Sequence, residues 1–153
     1  MTHCARTFAM MLSIPGIVIA QTSVKRQSPS QACDAAQSQM ELNQCAGEQY
    51  KKADARLNTI YRNVLNMMEK DLADAKDHKD TDQVRYEQAA IDKLKAAEKA
   101  WIQYRDLHCE AARHQYEGGS MNPMVWGFCM EQVSLDRIEE LKSAYEEGDR
   151  KLE

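Results

Sequence analysis

The chain has 153 residues, of which 43% are hydrophobic and 29% are charged, and its formal net charge is −4 when the histidines are neutral. This length is typical of one ordinary domain, and an acidic chain without a basic stripe is a poor binder of nucleic acid. The charge is better matched to a cationic partner, whose approach the field of the protein would steer. On charge alone, the interpretation we favour is that a modest negative charge only keeps the domain soluble.

The first twenty residues are organised like a secretory signal. A short N-terminal segment carrying Arg6 precedes an apolar run from Phe8 to Ala20. The run ends in Val-Ile-Ala, which is typical of a signal peptidase cleavage site. The run is too short to span a bilayer, and Cys4 precedes it, so Cys4 is not placed for lipid attachment. We expect an exported protein, periplasmic or extracellular and without a lipid anchor. Without the first twenty residues, which contain Arg6, the chain has 19 basic and 24 acidic residues and a net charge of −5.

A long amphipathic helix is predicted after a polar lead-in. Residues 21–32 are polar and contain Pro29, which predicts a flexible segment before a helical domain at 33–147. From Met40 onward apolar residues recur at steps of three and four. The positions predicted to face inward are Leu42, Cys45, Gln49, Ala53, Leu57, Ile60, Val64, Met68 and Leu72.

Two further helices are predicted, with Asp80 or Thr81 capping the second and Asn122 capping the third. The second should end near Tyr116, because Gly118 and Gly119 favour helix termination. Its predicted inward positions are Val84, Ile91, Leu94, Ala97, Trp101, Tyr104 and His108, and those of the third helix are Val125, Cys129, Val133, Ile138, Leu141 and Tyr145. No strand pattern appears, so the predicted fold is an all-α antiparallel bundle of about three helices, with a charged tail at 148–153.

Four cysteines follow the predicted signal, and an even number in an exported chain predicts two disulfides. The absence of CxxC and HxxxH spacings argues against zinc. Cys109 and Cys129 flank the turn of a predicted helical hairpin, which favours their pairing and leaves Cys33 for Cys45. The alternative pairs Cys33 with Cys109 and Cys45 with Cys129.

Several motifs resemble a known family. They are CxxAQxxxELNxCA at 33–46, YxxADxxLNxxY at 50–61, AWxxYRDxxC at 100–109, GGS at 118–120, Cys129, and RxxxL at 137–141. In this order they are similar to the lysozyme inhibitor LprI-like domain, over nearly the whole chain after the signal. The resemblance implies a small, helical, disulfide-bearing exported domain, and its named member is a lipoprotein implicated in inhibiting lysozyme.

Polar residues interrupt the predicted apolar faces. Asp54 and Asn58 share a face of the first helix with Tyr50, Leu57 and Tyr61. A half-buried aspartate needs a partner, and Arg105 or Arg137 can supply it. The interpretation we favour is a structural polar motif, which we list as Asp54, Asn58, Arg105, Asp106 and Arg137.

The turn between the second and third helices is the best candidate for partner binding. A glycine-bearing loop with a disulfide across its base would need little further ordering on binding. The predicted contact residues are Gly118, Gly119, Ser120, Met121 and Asn122. The alternative is that these residues only terminate one helix and begin the next.

We therefore expect a secreted inhibitor that blocks the active-site cleft of lysozyme. The alternative is a helical module of the cell envelope with another protein partner. The chain has none of the GxSxG, HExxH, P-loop or GxGxxG motifs, so we predict no enzymatic activity, no cofactor and no metal. The oligomeric state is left open.

Overall fold

The computed structural model describes residues 32–146 and 151–152. Within these residues the chain forms three α-helices and no strand: α1 (Gln39–Asp77), α2 (Thr81–His114) and α3 (Asn122–Tyr145). The all-α prediction is confirmed. The predicted signal at 1–20 and all of the lead-in except residue 32 lie outside the described residues. Among the helices described, none is both long and apolar enough to cross a membrane.

Side-chain caps set the N-terminal ends of α1 and α2. Ser38 accepts a hydrogen bond from the backbone N–H of Glu41 at 3.2 Å and begins α1. Helix α1 continues to Asp77, beyond the last predicted inward position. A three-residue connection follows, in which Lys79 has a φ of 57°. Asp80 then caps α2 by accepting from the N–H of Gln83 at 3.0 Å, as predicted.

Successive helices are antiparallel. Asp54 and Glu69 of α1 lie beside Arg105 and Lys95 of α2, in reversed order along the two helices. The same reversal relates α2 to α3, through the disulfide between Cys109 and Cys129 and the contact of Glu98 with Arg137. Helices α1 and α3 are therefore parallel, and α1 packs more extensively on α3 than on α2.

Both disulfides lie at the same end of the bundle. Cys33 pairs with Cys45 across Cα atoms 5.9 Å apart, and Cys109 pairs with Cys129 across 5.6 Å. The favoured connectivity is confirmed. The first bridge is possible because residues 32–38 turn back over the start of α1 instead of extending it. We call this region, residues 32–49 and 108–129, the disulfide end.

The core fills the middle and opposite end of the bundle. Its members are Leu57, Ile60, Val64, Met68, Leu72, Ile91, Leu94, Ile138, Leu141 and Leu152. Leu152, within the predicted charged tail, is only 3% exposed. Its backbone N–H donates to Glu146 Oε1 at 2.9 Å, which holds this end of the chain against the bundle.

The predicted inward face of α1 is buried from Ala53 onward but only half-buried at Leu42, Cys45 and Gln49, and the predicted face of α2 is partly wrong. Ala53, Leu57, Ile60, Val64, Met68 and Leu72 of α1 are buried, as are Ile91 and Leu94 of α2. Ala97, Tyr104 and His108 were expected to face inward but are exposed. Glu98, Arg105 and Cys109 are buried instead. Paired charges, a disulfide and the half-buried Trp101 attach this half of α2 to the bundle.

The inward face of α3 contains small and polar residues. Ile138 and Leu141 are buried as predicted, while Val125, Cys129, Val133 and Tyr145 are only half-buried. The other buried positions are Gly127, Met130, Glu131 and Ser134. A Cβ atom at Gly127 would lie 2.9 Å from backbone and side-chain carbon atoms of Ala46, so α1 and α3 approach closely at this level.

Candidate functional site

The turn from Gln115 to Met121 joins α2 to α3 at the disulfide end. Helix α2 ends at His114, two residues before the predicted Tyr116, and Gly118 adopts a φ of 76° that favours glycine. Asn122 does not cap α3 as predicted: it is the first residue of the helix, and Met121 occupies the cap position without a side-chain hydrogen bond. The connection between the two antiparallel helices therefore contains one left-handed residue, Gly118.

Hydrogen bonds from all three helices hold the turn. Asn43 of α1 donates its Nδ2–H to the backbone oxygen of Ser120 at 3.0 Å. Asn122 donates to the backbone oxygen of Arg113 at 3.1 Å, and the Arg113 guanidinium returns a bond of 3.3 Å to Asn122 Oδ1. With the Cys109–Cys129 bridge across its base, the turn is fixed to α1, α2 and α3 at once.

The fixed turn presents unused backbone donors to solvent. Residues 117–121 are exposed, and the side chain of Met121 is 40% exposed. The backbone N–H groups of Gly118, Ser120 and Met121 donate to no acceptor among the described residues. Three amide donors and the Ser120 hydroxyl thus lie together on a projecting segment. Such a set suits an acceptor-rich partner, because donors that are already positioned need little ordering.

The disulfide end is strongly acidic. It carries five carboxylates and one guanidinium, which are Asp34, Glu41, Glu48, Glu110, Glu117 and Arg113. Arg113 is engaged by Glu110 at 2.6 Å, and Glu117 contacts His114 at 3.1 Å. An open depression of about 450 Å³ runs beside the turn between these side chains. The local charge would attract a cationic surface to the exposed turn.

The structure brings four of the five residues of the predicted polar motif together. Arg105, whose side chain is 9% exposed, donates to Asp54 Oδ1 and to Asp106 Oδ1, each at 3.0 Å. Asn58 donates to the other oxygen of Asp54 at 3.0 Å. The guanidinium carbon lies 5.7 Å from the ring centroid of Tyr50. The carboxylate of Asp54 is therefore paired with α2, although its side chain is 35% exposed.

Arg137, the fifth member of the motif, lies elsewhere and pairs with Glu98. Its Nε and Nη2 donate to Glu98 Oε2 at 3.1 and 3.0 Å, and Nη1 reaches Glu140 at 2.9 Å. The ring of Trp101 lies between the two arginines, 5.7 Å from Arg137 and 5.3 Å from Arg105. Trp101 thus connects the two ion-pair groups.

The pKa values in these groups follow from burial and pairing. Burial lowers the pKa of Arg105, but hydrogen bonds and charges from Asp106, with Tyr50 and Asp54, outweigh it and raise the pKa overall. The pKa of Arg137 is raised in the same way, with Glu140 and Glu98 overcoming the effect of burial. Burial raises the pKa of Tyr50, against the opposing charge of Arg105. Both guanidinium groups therefore remain charged.

Three residues that position these groups were not predicted as such from the sequence. Asn43 anchors the turn, and the sequence feature that could have identified it is its place within the CxxAQxxxELNxCA motif. Arg113 fixes Asn122, and its signal was its position in the last turn of α2, where a cation is favourable. Glu98 holds Arg137, and it stands at helical spacing between Leu94 and Trp101. Among the described residues no group of His, Cys, Asp or Glu side chains is arranged to hold a metal ion.

Comparisons with known proteins identify a family and a relative for this chain. A family model described as lysozyme inhibitor LprI matches residues 30–141. The uncharacterized protein R02472 of Rhizobium meliloti (strain 1021) is 41% identical over 123 residues, which cover 80% of this chain and 85% of that protein. No solved structure matches. The disulfides and this family indicate an exported protein with a protein partner. The chain belongs to the LprI lysozyme inhibitor family.

Proposed function

We propose that this protein inhibits lysozyme by inserting the turn at the disulfide end, Glu117–Asn122, into the active-site cleft of the enzyme. The observation that carries the proposal is the set of exposed amide donors on a turn fixed by Asn43, Asn122 and the Cys109–Cys129 bridge. Family membership supports lysozyme as the target, and the geometry of the turn supports it as the contact.

The inhibitory chemistry follows from the way lysozyme works. Lysozyme cleaves its glycan with two carboxyl groups in a cleft. The amides of Gly118, Ser120 and Met121 would donate hydrogen bonds to those groups, and the turn would exclude the sugar. Because the turn is held on three sides, little conformational entropy would be lost on binding.

The acidic surface around the turn would contribute mainly to association. Glu117 and Glu110 lie beside it, and the disulfide end as a whole is acidic, so a cationic enzyme would be attracted over a distance of about 10 Å at 0.1 M salt. Inhibition should therefore weaken as salt is added. Charge steering raises the rate of association more than it slows dissociation.

The groups outside the turn have a structural role in this proposal. The guanidinium of Arg105 and the carboxylate of Asp54 are engaged with each other across α1 and α2, and Arg137 is engaged by Glu98. The protein would act outside the cytoplasm, in the periplasm or the extracellular medium and without a lipid anchor, where its disulfides persist.

A bulky substitution in the turn tests the contact. Ser120→Trp places a large side chain on an exposed residue and should reduce inhibition of a cationic lysozyme at least tenfold. Ser143→Trp is the matched control, because Ser143 is also exposed but lies about 30 Å away along α3. Lysis of a peptidoglycan suspension is the readout, and circular dichroism confirms that both variants fold. Equal inhibition by the two variants would show that the turn is not the contact.

A further inference from the structure

Helix α2 carries a second apolar stripe, on a different face from its buried residues. Its members recur at alternating steps of four and three, and they are Tyr86, Ala90, Lys93, Ala97, Ala100, Tyr104, Leu107 and Ala111. Seven of the eight are apolar or aromatic. A strict seven-residue repeat of this kind is the pattern by which helices pair in coiled coils. We call these eight residues the outer seam.

The outer seam is exposed where its largest side chains lie. Leu107 is 71% exposed, Tyr86 68% and Tyr104 56%. Ala90 is half-buried, and the remaining members are exposed. The inward face of α2 is separate from the seam and is formed by Ile91, Leu94, Glu98, Arg105 and Cys109. Apart from Ala90, which packs against the core, the members of the seam lie outside the core of the described part of the chain.

A groove lies beside the first half of the seam, from Tyr86 to Ala97. Its volume is about 590 Å³, and Tyr86, Ala90, Lys93 and Ala97 form its α2 wall. Leu141 and Tyr145 of α3 lie across it. The large exposed side chains, Tyr104 and Leu107, project from the other half of the same helix. One half of the seam thus borders a groove, and the other half carries two large exposed side chains.

A two-fold axis at the middle of the seam would bring these halves together. If α2 lay antiparallel to α2 of a second copy, Leu107 would face Ala90, and Tyr104 would face Lys93. Tyr86 would face Ala111, and Ala97 would face Ala100. Each large side chain then meets a small one or, at Lys93, a cation that can lie over the tyrosine ring. The same pairing places residues in the alternating layers of an antiparallel coiled coil.

We propose that the occupant of this surface is a second copy of the same chain, docked through α2 in an antiparallel two-fold arrangement. A two-fold interface requires a self-complementary surface, and the seam has this property in its order of large and small residues. The groove then receives Leu107 and Tyr104 of the partner copy. This dimer is independent of lysozyme binding.

The size of the seam predicts a weak dimer. The 25 steps from Tyr86 to Ala111 extend about 37 Å along the helix, and a helix is about 10 Å wide. The buried surface would be about 750 Å² in total, which is below the ~1,200 Å² of stable complexes. We therefore expect association at high micromolar concentrations. The two turns of such a dimer would lie about 60 Å apart and face opposite ways.

Sedimentation of the oxidised protein between about 20 µM and 1 mM tests the proposal. The mean mass should rise toward that of a dimer, and Leu107→Glu or Ala90→Lys alone should weaken association at least tenfold. Ile102→Glu is the matched control, because Ile102 is 41% exposed on the same helix but lies outside the seam. Circular dichroism of each variant checks that the helices remain.

Mixing variants tests the direction of pairing. An equimolar mixture of Leu107→Glu and Ala90→Lys should restore the dimer, because the new charges meet across the two-fold axis. A mixture of Leu107→Glu and Leu107→Lys should stay monomeric, since these positions lie about 25 Å apart in the antiparallel pair. A wild-type monomer at 1 mM, a dimer insensitive to Leu107→Glu, or rescue by the second mixture would overturn the proposal.

Discussion

Glu131 is a buried carboxyl group on the face of α3 that packs against the bundle. Its side chain is 8% exposed, and its Oε2 has no hydrogen-bond partner in the described residues. Burial raises the pKa of Glu131, and the positive charge of Lys52 opposes the shift only in part. The ionised form is therefore less stable in the folded protein than in the unfolded chain.

Replacing this carboxyl by an amide should stabilise the protein at neutral pH. The pKa of Glu131 is higher in the folded protein than in the unfolded chain. Its stabilising contribution is therefore complete below the unfolded pKa and is lost as the pH rises through the folded pKa. Glu131→Gln should thus raise the free energy of unfolding at pH 7 by on the order of 1 kcal/mol. The gain should vanish below about pH 4.

Denaturant unfolding at pH 7 and pH 4 measures this difference. Glu139→Gln is the matched control, because Glu139 is exposed on the same helix. A Glu131→Gln variant that is less stable than wild type at pH 7, while the control is unchanged, would mean that the carboxylate has hydrogen-bond partners in solution.

Polar side chains explain why the inward face of α2 was only partly predictable. Periodicity identifies apolar residues, and after Leu94 the buried positions of α2 include Glu98 and Arg105, whose charges are matched on neighbouring helices. Pairing across helices depends on long-range geometry that a local pattern does not contain. Tyr104 and His108 were therefore placed inward, although Tyr104 belongs to the outer seam.

At the scale of elements, the approach of α1 to α3 depends on a glycine. A Cβ at Gly127 would come within 2.9 Å of Ala46, including its backbone carbon, which cannot move without shifting α1. Gly47 also lies within a helix, but a Cβ there would meet nothing within 4 Å. Substitutions at the two glycines can therefore separate the effect of packing from the effect of helix propensity.

Alanine substitutions at these glycines should have opposite effects. Gly127→Ala should destabilise the protein by about 1–2 kcal/mol, because overpacking costs more than alanine gains as a helix former. Gly47→Ala should stabilise it by about 0.5–1 kcal/mol. Thermal unfolding should show melting temperatures that move a few degrees in opposite directions. A Gly127→Ala variant as stable as Gly47→Ala would refute the close contact.

Helix boundaries were predictable where the capping side chain bonds a backbone N–H nearby in sequence. They were less predictable where that side chain bonds a residue of another helix. Asp80 bonds an N–H three residues ahead, so its role follows from the neighbouring sequence. Asn122 has the composition of a cap, but its side chain bonds Arg113 of the preceding helix. This tertiary bond displaced the predicted cap by one residue and contributes to the rigidity of the turn.

At the scale of the molecule, the two disulfides and the turn share one end, while the large apolar core fills the rest. The all-α class and the connectivity were predictable from helix periodicity and from cysteines on either side of a turn. The bond from Asn43 to Ser120 was not, because the two residues are 77 positions apart. The sequence indicated the turn as a candidate contact, and the structure reveals how it is held.

The central claim is that the turn at the disulfide end blocks lysozyme, and a titration tests it most directly. The oxidised protein is added to a cationic lysozyme, and lysis of a peptidoglycan suspension is followed at low and moderate salt. We predict inhibition that saturates at one molecule per enzyme and weakens as salt rises. Undiminished lysis at a several-fold excess of folded, disulfide-bonded protein would contradict the claim.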